Sequence, residues 1–178
     1  MVENPLARVA IHQGWLTIRG GGRRKLRVKR FVLPFRPYEV SKRSMKRIDT
    51  HRKGYLLEPG GLYAEIALVR LLRRSGWDAV WIDAYRNKRW REMPHREKEA
   101  RFPDEQLRLY KAIRERVGRG GCWDIWAWRG HRHLFIEAKR LGSDRIRQSQ
   151  VHWLEAAVSL GVPQNSFRVA GWFLEGTD

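Results

Sequence analysis

Apolar residues recur at helical spacing in three segments of the chain. Leu62, Ile66, Val69 and Leu72 repeat every three or four positions, and Gly76 follows them. This pattern predicts a first helix that ends at Gly76. A second helix is predicted over residues 104–117, and a third over residues 144–160, with a cap at Ser143 and Asp144.

Short segments with strand-like alternation lie between these helices. Strands are predicted at residues 78–85, 122–128, 134–140 and 166–173, with a surface loop over residues 86–102. Strands interleaved with helices indicate an α/β fold in which a mixed β-sheet is flanked by helices. The second and third strands are joined around Gly130 and His131, which predicts a hairpin.

The predicted hairpin brings two acidic residues together. If its turn is centred between Gly130 and His131, Asp124 lies directly opposite Glu137, with Cβ atoms about 4.5 to 5.5 Å apart. Two carboxylates that close repel each other unless a cation lies between them, and Mg²⁺ prefers such oxygen ligands. The alternative is that Lys139, on the same strand face as Glu137, neutralises one carboxylate while the other faces solvent.

Two of the predicted helices each carry a polar residue within the apolar stripe. Glu65 lies among the inward residues of the first helix and has no basic residue three or four positions away. Gln150 lies on the inward stripe of the third helix, where a buried amide needs hydrogen-bond partners. Glu65 and Gln150 are therefore candidates for the same site as the hairpin residues, although a structural bond to neighbouring backbone is the alternative for Gln150.

This order of residues resembles the PD-(D/E)XK nuclease superfamily, and within it the VRR-NUC branch. The strings that carry the resemblance span residues 120–124 (GGCWD), 135–139 (FIEAK) and 144–154, which contains DRI and then Gln150-x-x-Trp153-Leu154. The family pattern is glycine, Pro-Asp, Glu-Val-Lys, and then Asp-Arg-Leu with Gln-x-x-Trp-Leu. The resemblance covers about residues 61–173, and the chain departs from the pattern at Trp123, where proline is usual.

The resemblance implies a restriction-endonuclease-like core and a metal-dependent phosphodiesterase. Asp124, Glu137 and the backbone carbonyl of Ala138 would hold Mg²⁺, with Mn²⁺ as a substitute, while Glu65 would bind through water or a second ion. Lys139 would orient water and stabilise charge, because nearby carboxylates favour a charged ammonium. Gln150 would orient Lys139 or the attacking water.

The charge of the chain favours a polyanionic partner. Lysine and arginine number 37 against 19 aspartates and glutamates, a formal net charge of +18. Residues 1–55 contain 15 of the basic residues and three acidic ones, which predicts a basic N-terminal arm before a nuclease core over residues 56–178. The predicted nucleic-acid-binding residues are those of a basic strand and one tryptophan in the loop: Arg23, Arg24, Lys25, Arg27, Lys29, Arg30 and Trp90.

Other features of the sequence limit the class of protein. Cys122 is the single cysteine, so an intrachain disulfide framework is excluded and a reducing compartment is expected. No apolar run reaches the roughly 18 to 20 residues of a membrane-spanning helix. We therefore expect a soluble intracellular protein, located at the nucleoid if the source is a bacterium or a phage, and a homodimer is an open expectation.

Three functional classes remain. The first is a nuclease that acts on DNA, with branched, nicked or flapped DNA among its candidate substrates. The second is a nucleic-acid-binding module of the same fold that lacks catalysis, and the third is a nuclease directed at RNA. A zinc site at His131 and His133 is disfavoured, because two imidazoles without a third ligand bind zinc poorly.

Neutralising Arg23, Arg24, Lys25 and Arg27 together is expected to weaken binding to every duplex sequence alike. Each lost phosphate contact reduces the salt slope of log affinity by roughly 0.9. The measurement is duplex affinity across a range of salt concentrations. An unchanged slope in the variant would show that this segment does not contact nucleic acid.

Overall fold

The computed structural model describes residues 5–21, 25–38, 56–58, 60–94, 96, 98–118 and 120–176. The strands are β1 (His12–Arg19), β2 (Lys25–Phe35), β3 (Asp78–Asp83), β4 (Lys88–Trp90), β5 (Ile125–Arg129), β6 (Arg132–Arg140) and β7 (Phe167–Leu174). The helices are α1 (Ala64–Arg74), α2 (Asp104–Val117) and α3 (Gln148–Ser159), with short 3-10 turns at Pro5–Arg8 and Gln164–Ser166.

The seven strands form one mixed sheet in the order β1-β2-β7-β6-β5-β3-β4. β7 pairs in parallel with both β2 and β6, and the other neighbours are antiparallel. Each face of the sheet carries its own buried cluster. The cluster that includes Ile125 and Ala127 packs against α1, whereas the cluster that includes Trp126 and Trp128 packs against α2 and α3. The predicted mixed α/β sheet with flanking helices is confirmed.

The structure contains the first helix and the hairpin that the sequence patterns predict. Ile66, Val69 and Leu72 of α1 are fully buried, and Gly76 follows the helix with a φ of 79°, a conformation that favours glycine. In the β5–β6 hairpin, Ile125 pairs with Ile136 and Arg129 with Arg132, which is the predicted register. The position of the turn, centred between Gly130 and His131, was enough to predict this pairing, because turn type and loop length fix the register of a hairpin.

The described part of the basic N-terminal segment is continuous with the sheet. β1 and β2 form a hairpin that joins β7, and Leu6 before them is fully buried. The predicted basic strand exists, because Leu26 and Val28 are buried while Arg27 is exposed. Arg23, Arg24 and residues 39–55 lie outside the described residues, so the boundary between residues 55 and 56 stays a prediction.

Two local predictions were wrong. The expected loop over residues 86–102 contains β4, in which Trp90 pairs with Trp81 of β3 and is buried. The third helix begins at Gln148 and not at Ser143, because the Asp144 carboxylate accepts a hydrogen bond from the Arg140 backbone N–H at 2.9 Å. Asp144 thus closes the turn after β6 and does not cap α3. Among the described residues, no helix has both the length and the apolar composition needed to cross a membrane.

Candidate active site

Asp124 and Glu137 meet where β5 and β6 part. The backbone ladder between these strands ends at Ile125 and Ile136, and β6 continues to Arg140 paired with β7. Beyond the ladder, the Asp124 N–H donates to Glu137 Oε2 at 3.2 Å, and the Ala138 N–H donates to Asp124 Oδ2 at 3.0 Å. Each carboxylate therefore replaces a missing backbone acceptor, which fixes its position at the end of the hairpin.

Two further predicted site residues converge on Glu137. Lys139 Nζ lies 2.7 Å from Glu137 Oε1, and the same oxygen accepts a short hydrogen bond from the Gln150 side-chain amide. The side-chain oxygen Oε1 of Gln150 accepts a hydrogen bond from the Arg147 backbone N–H at 2.9 Å, just before the first turn of α3. Gln150 thus contacts Glu137 directly, whereas the sequence had predicted that it would orient Lys139 or a water. The structural bond weighed as its alternative is also present.

Trp123 and Gly121 hold the start of α3 against the hairpin. The Trp123 indole N–H donates to the Gln150 backbone carbonyl at 2.9 Å, and its ring contacts Phe167 with centroids 4.9 Å apart. Gly121 has a φ of 72°, and a Cβ there would lie 2.1 Å from the Ser149 carbonyl oxygen. The tryptophan that departs from the family pattern therefore anchors the helix that carries Gln150. Sequence analysis missed this role, although the resemblance had already singled out Trp123.

Burial makes both carboxylates costly to ionise. Desolvation raises the pKa of Asp124 well above its ordinary range, and the charges of Glu137 and Glu65 raise it further, while Lys139 lowers it. The pKa of Glu137 is also raised by burial, and Lys139 and the hydrogen bonds from Asp124 oppose that shift. A cation placed between the two carboxylates would relieve their repulsion.

Glu65 approaches this pair from α1. It lies in the first turn of the helix, is half-buried, and its charge acts on Asp124. The structure thus brings Glu65, Asp124, Glu137, Lys139 and Gln150 to one region, with Glu65 contributing through its charge.

An open cleft of about 260 Å³ is lined by Asp124, Glu137, Lys139 and Gln150, and Glu65 lies outside its lining. Its wall includes three residues that sequence analysis missed: Asp83, Tyr85 and Arg147. Asp83 is buried and is already bonded to the Arg86 guanidinium at 2.9 Å, whereas Tyr85 is 94% exposed at the rim. A buried acid at the end of an apolar strand was the signal for Asp83, but no sequence signal pointed to Tyr85 or Arg147.

The donor set of this cleft fits a hard divalent cation. Within the part of the chain that the structure describes, no three His, Cys, Asp or Glu side chains are grouped so as to hold a metal ion. Mg²⁺, however, commonly uses only one or two carboxylates and keeps several waters. The Ala138 N–H donates to Asp124, and since the N–H and C=O of a strand residue point to the same side, the Ala138 carbonyl points to the same side of β6.

The predicted nucleic-acid-binding residues are divided between surfaces. Lys25 and Arg27 are exposed and Lys29 is half-buried, while Arg30, one position on, points to the α3 side of the sheet. Trp90 was predicted to stack on bases, but its ring is only 6% exposed and belongs to the core. Sequence analysis did not consider Trp15 as a stacking candidate. This residue is 59% exposed, and the Arg27 guanidinium lies 5.0 Å from its ring centroid.

Comparisons with known proteins identify no family for this chain. No protein-family model matches it, and no curated protein matches it either.

Asp124→Asn is expected to raise the melting temperature in EDTA. Because the raised pKa of Asp124 makes its ionised form unfavourable in the folded state, a neutral amide that still accepts from the Ala138 N–H should stabilise the protein by about 1 kcal/mol, or about 2 to 4 °C. The variant should also gain less stability than wild type from Mg²⁺ or Ca²⁺. The measurement is thermal melting of both proteins in EDTA and in each ion.

Glu115→Gln is the control, because it removes an exposed carboxylate from α2 and should leave the melting temperature nearly unchanged in every condition. Equal ion-induced shifts in Asp124→Asn and wild type would show that the cation binds elsewhere.

Gly121→Ala is expected to destabilise the protein more than Gly161→Ala. Both glycines have positive φ, but only at Gly121 does the added Cβ meet backbone, so α3 must move. Backbone strain alone costs about 1 to 2 kcal/mol, and the clash adds to it. Urea unfolding of both variants measures the difference, and equal losses would contradict the close contact between Gly121 and α3.

Proposed function

We propose that this protein is a Mg²⁺-dependent nuclease that hydrolyses phosphodiester bonds in DNA. The observation that carries the proposal is the convergence of Asp124, Glu137 and Lys139 in one solvent-open cleft at the end of the β5–β6 hairpin. Two desolvated carboxylates whose pKa values are raised favour binding a cation, and an ammonium beside them adds a donor for an anionic substrate.

The charge of the protein supports a nucleic-acid substrate. A net charge of +18 attracts a polyanion over long range, and the exposed Arg27 and Lys25 of β2 extend that field beyond the cleft. DNA is proposed in preference to RNA because of the resemblance to the PD-(D/E)XK nucleases. Branched, nicked and flapped DNA are the substrates to test first.

Each residue of the cleft has a distinct role in the proposed reaction. Asp124, Glu137 and the Ala138 carbonyl would hold Mg²⁺, which supplies positive charge to the scissile phosphate and acidifies water. Lys139 carries three donors and no acceptor, so it orients water and stabilises the developing phosphate charge and does not act as a base. Glu65 adds negative charge that strengthens cation binding.

Gln150 acts as a positioning residue. Its side-chain Nε2 donates to Glu137, and its side-chain Oε1 accepts from the Arg147 N–H. A residue of α3 therefore fixes the position of the Glu137 carboxylate. Such support from outside the ligand set keeps carboxylates in a productive orientation. Gln150 and Arg147 therefore orient the Glu137 carboxylate, which is the proposed metal ligand.

A binding module without catalysis is the second candidate. Both Glu137 oxygens already accept hydrogen bonds from protein groups, an arrangement that is also stable without a metal ion. Oε1 faces both Lys139 and Gln150, whereas Oε2 accepts one bond, from the Asp124 N–H, so Oε2 keeps a lone pair for a metal ion. A cleavage assay separates the candidates, because a binding module would retard DNA without shortening it.

Lys139→Ala is expected to reduce cleavage by about 10² or more while leaving DNA affinity nearly unchanged. The lost ammonium acts on the reacting phosphate, whereas most of the affinity comes from basic residues elsewhere. Cleavage is measured on linear, nicked, flapped and four-way DNA and on structured RNA, with Mg²⁺, Mn²⁺ or EDTA.

The matched control is Lys111→Ala, which removes an exposed lysine from α2 and should cleave like wild type. Wild-type cleavage by Lys139→Ala would exclude the assigned site. If wild type binds DNA but cleaves no substrate with either ion, the binding module becomes the function.

A further inference from the structure

A second and larger cleft, which we call the basic groove, adjoins the candidate active site. It has a volume of about 520 Å³ and lies between the β1–β2 hairpin and the start of α3. Lys139 lines both clefts, so the groove and the candidate active site share one boundary residue. The β1–β2 wall precedes residue 61 and therefore lies outside the segment that resembles a known family.

Positive charge dominates the rim of the basic groove. Four arginines line it: Arg19, Arg30, Arg140 and Arg145. Asp144 is the one acidic residue among the described lining residues, and its oxygens accept from the Arg140 N–H and the Ser143 hydroxyl. Arg19, Arg30 and Arg145 form no ion pair with any described residue. Uncompensated guanidinium groups beside a proposed phosphodiester site favour further phosphates.

Gly171 lies on the floor of the basic groove between Lys139 and Arg30. It pairs with Lys139 across β6 and β7, and β2 lies on the other side of β7. A Cβ at Gly171 would lie 2.8 Å from Leu141 Cδ2 and 3.3 Å from Arg30 Nε. The missing side chain therefore leaves room for Leu141 and Arg30 to pack against the floor of the groove beside Lys139.

The walls of the basic groove are apolar below its charged rim. They are formed by Leu16, Ile18, Ile146, Val151 and Val169. An apolar wall suits the exposed sugar and base of an unpaired nucleotide, whereas a duplex presents charged phosphates and has its bases stacked inside. The volume lies within the range of small-ligand sites, about 300 to 1,000 Å³, which admits nucleotides of one strand but not a double helix.

The hairpin that forms the outer wall is held in place. The Gly21 N–H donates to the Glu155 carboxylate of α3 at 2.9 Å, and the Gln164 amide donates to the Arg27 carbonyl of β2 at 3.0 Å. These bonds tie β1 and β2 to the same layer as α3. The basic groove therefore has two anchored walls.

We propose that the basic groove binds an unpaired strand of the nucleic-acid substrate, continuing from the phosphate at Lys139 toward Arg30 and Arg19. This inference rests on the proposed function, since it takes Lys139 as the position of the scissile phosphate. It implies that the preferred substrate has a single-stranded segment beside the bond that is cleaved. The two arginines bind phosphates, and the apolar wall contacts sugar and base.

Binding in EDTA tests the proposal without requiring cleavage. The probes are a fluorescent oligothymidylate of about 12 nucleotides, within the span of known single-strand sites, and a blunt duplex of the same length. The Arg19→Ala/Arg30→Ala double variant is expected to raise the Kd for the single strand several-fold. Its salt slope should fall by about 1.4, because each phosphate contact to a single strand contributes about 0.7. Arg108→Ala, which removes an exposed arginine from α2, is the control and should bind like wild type.

Gly171→Ala provides an independent variant that keeps the net charge. Its Cβ must displace the end of Leu141 and crowd Arg30, so it is expected to weaken single-strand binding while duplex binding stays unchanged. Its melting temperature is compared with wild type to verify folding, and the arginine variant remains as a test if it fails to fold.

The outcomes separate this proposal from the proposed nuclease activity. Unchanged single-strand affinity and slope in the double variant, or equal losses for single strand and duplex, would overturn the basic groove as a single-strand site, even if wild type cleaves DNA. A selective loss of single-strand binding in a protein that cleaves nothing would support the groove and refute the nuclease.

Discussion

The desolvated carboxylate pair of Asp124 and Glu137 is the constraint around which this fold is arranged. Burial raises the pKa of both acids and so makes them costly to ionise. The charge of Glu137 raises the pKa of Asp124 further, whereas hydrogen bonds from Asp124 oppose the shift of Glu137. The protein offsets this cost with hydrogen bonds from the Asp124 and Ala138 backbone, from Gln150, and with the ammonium of Lys139. The cluster is stable only if β5, β6 and α3 all keep their positions, because each supplies at least one of these groups.

Aromatic packing keeps those elements in place. On the α2–α3 side of the sheet, Phe135 stacks on Phe167 with centroids 4.9 Å apart and contacts Trp126 at 4.8 Å. Trp123 joins this cluster through Phe167 and, through its indole N–H, fixes the backbone of Gln150. A large, rigid aromatic core next to a polar cluster limits rearrangement, since close-packed side chains have few alternative positions. Trp123 therefore holds the start of α3 at the site, whereas Trp15 is exposed on the β1–β2 hairpin.

The N-terminal strands β1 and β2 extend the sheet on the β7 side, next to the candidate site. Because β2 pairs with β7 and β7 pairs with β6, Arg30 and Lys139 are separated only by the width of one strand. Gly171 lets Leu141 and Arg30 pack into that interval, and Arg19, Arg30 and Arg145 form no ion pair with any described residue. A basic segment that the composition alone assigned to general phosphate contact thus forms one wall of a groove beside the candidate site. The strand order therefore concentrates part of the positive charge beside the candidate site.

The sequence by itself determined the local features of this protein. Hydrophobic periodicity predicted α1, terminal signals predicted α2, and the turn between Gly130 and His131 predicted the hairpin register that sets Asp124 beside Glu137, because turn type and loop length fix which residues pair. Only the tertiary structure decided the features that depend on distant segments. The parallel pairing of β2 with β7 and the contact of Gln150 with Glu137 join separate elements, whereas the β4 pairing that buries Trp90 and the Asp144–Arg140 bond before α3 are short-range features that the pattern did not reveal. No short-range pattern encodes which strands become neighbours or which side chain fills the space between them, since that choice is made by packing across the whole sheet.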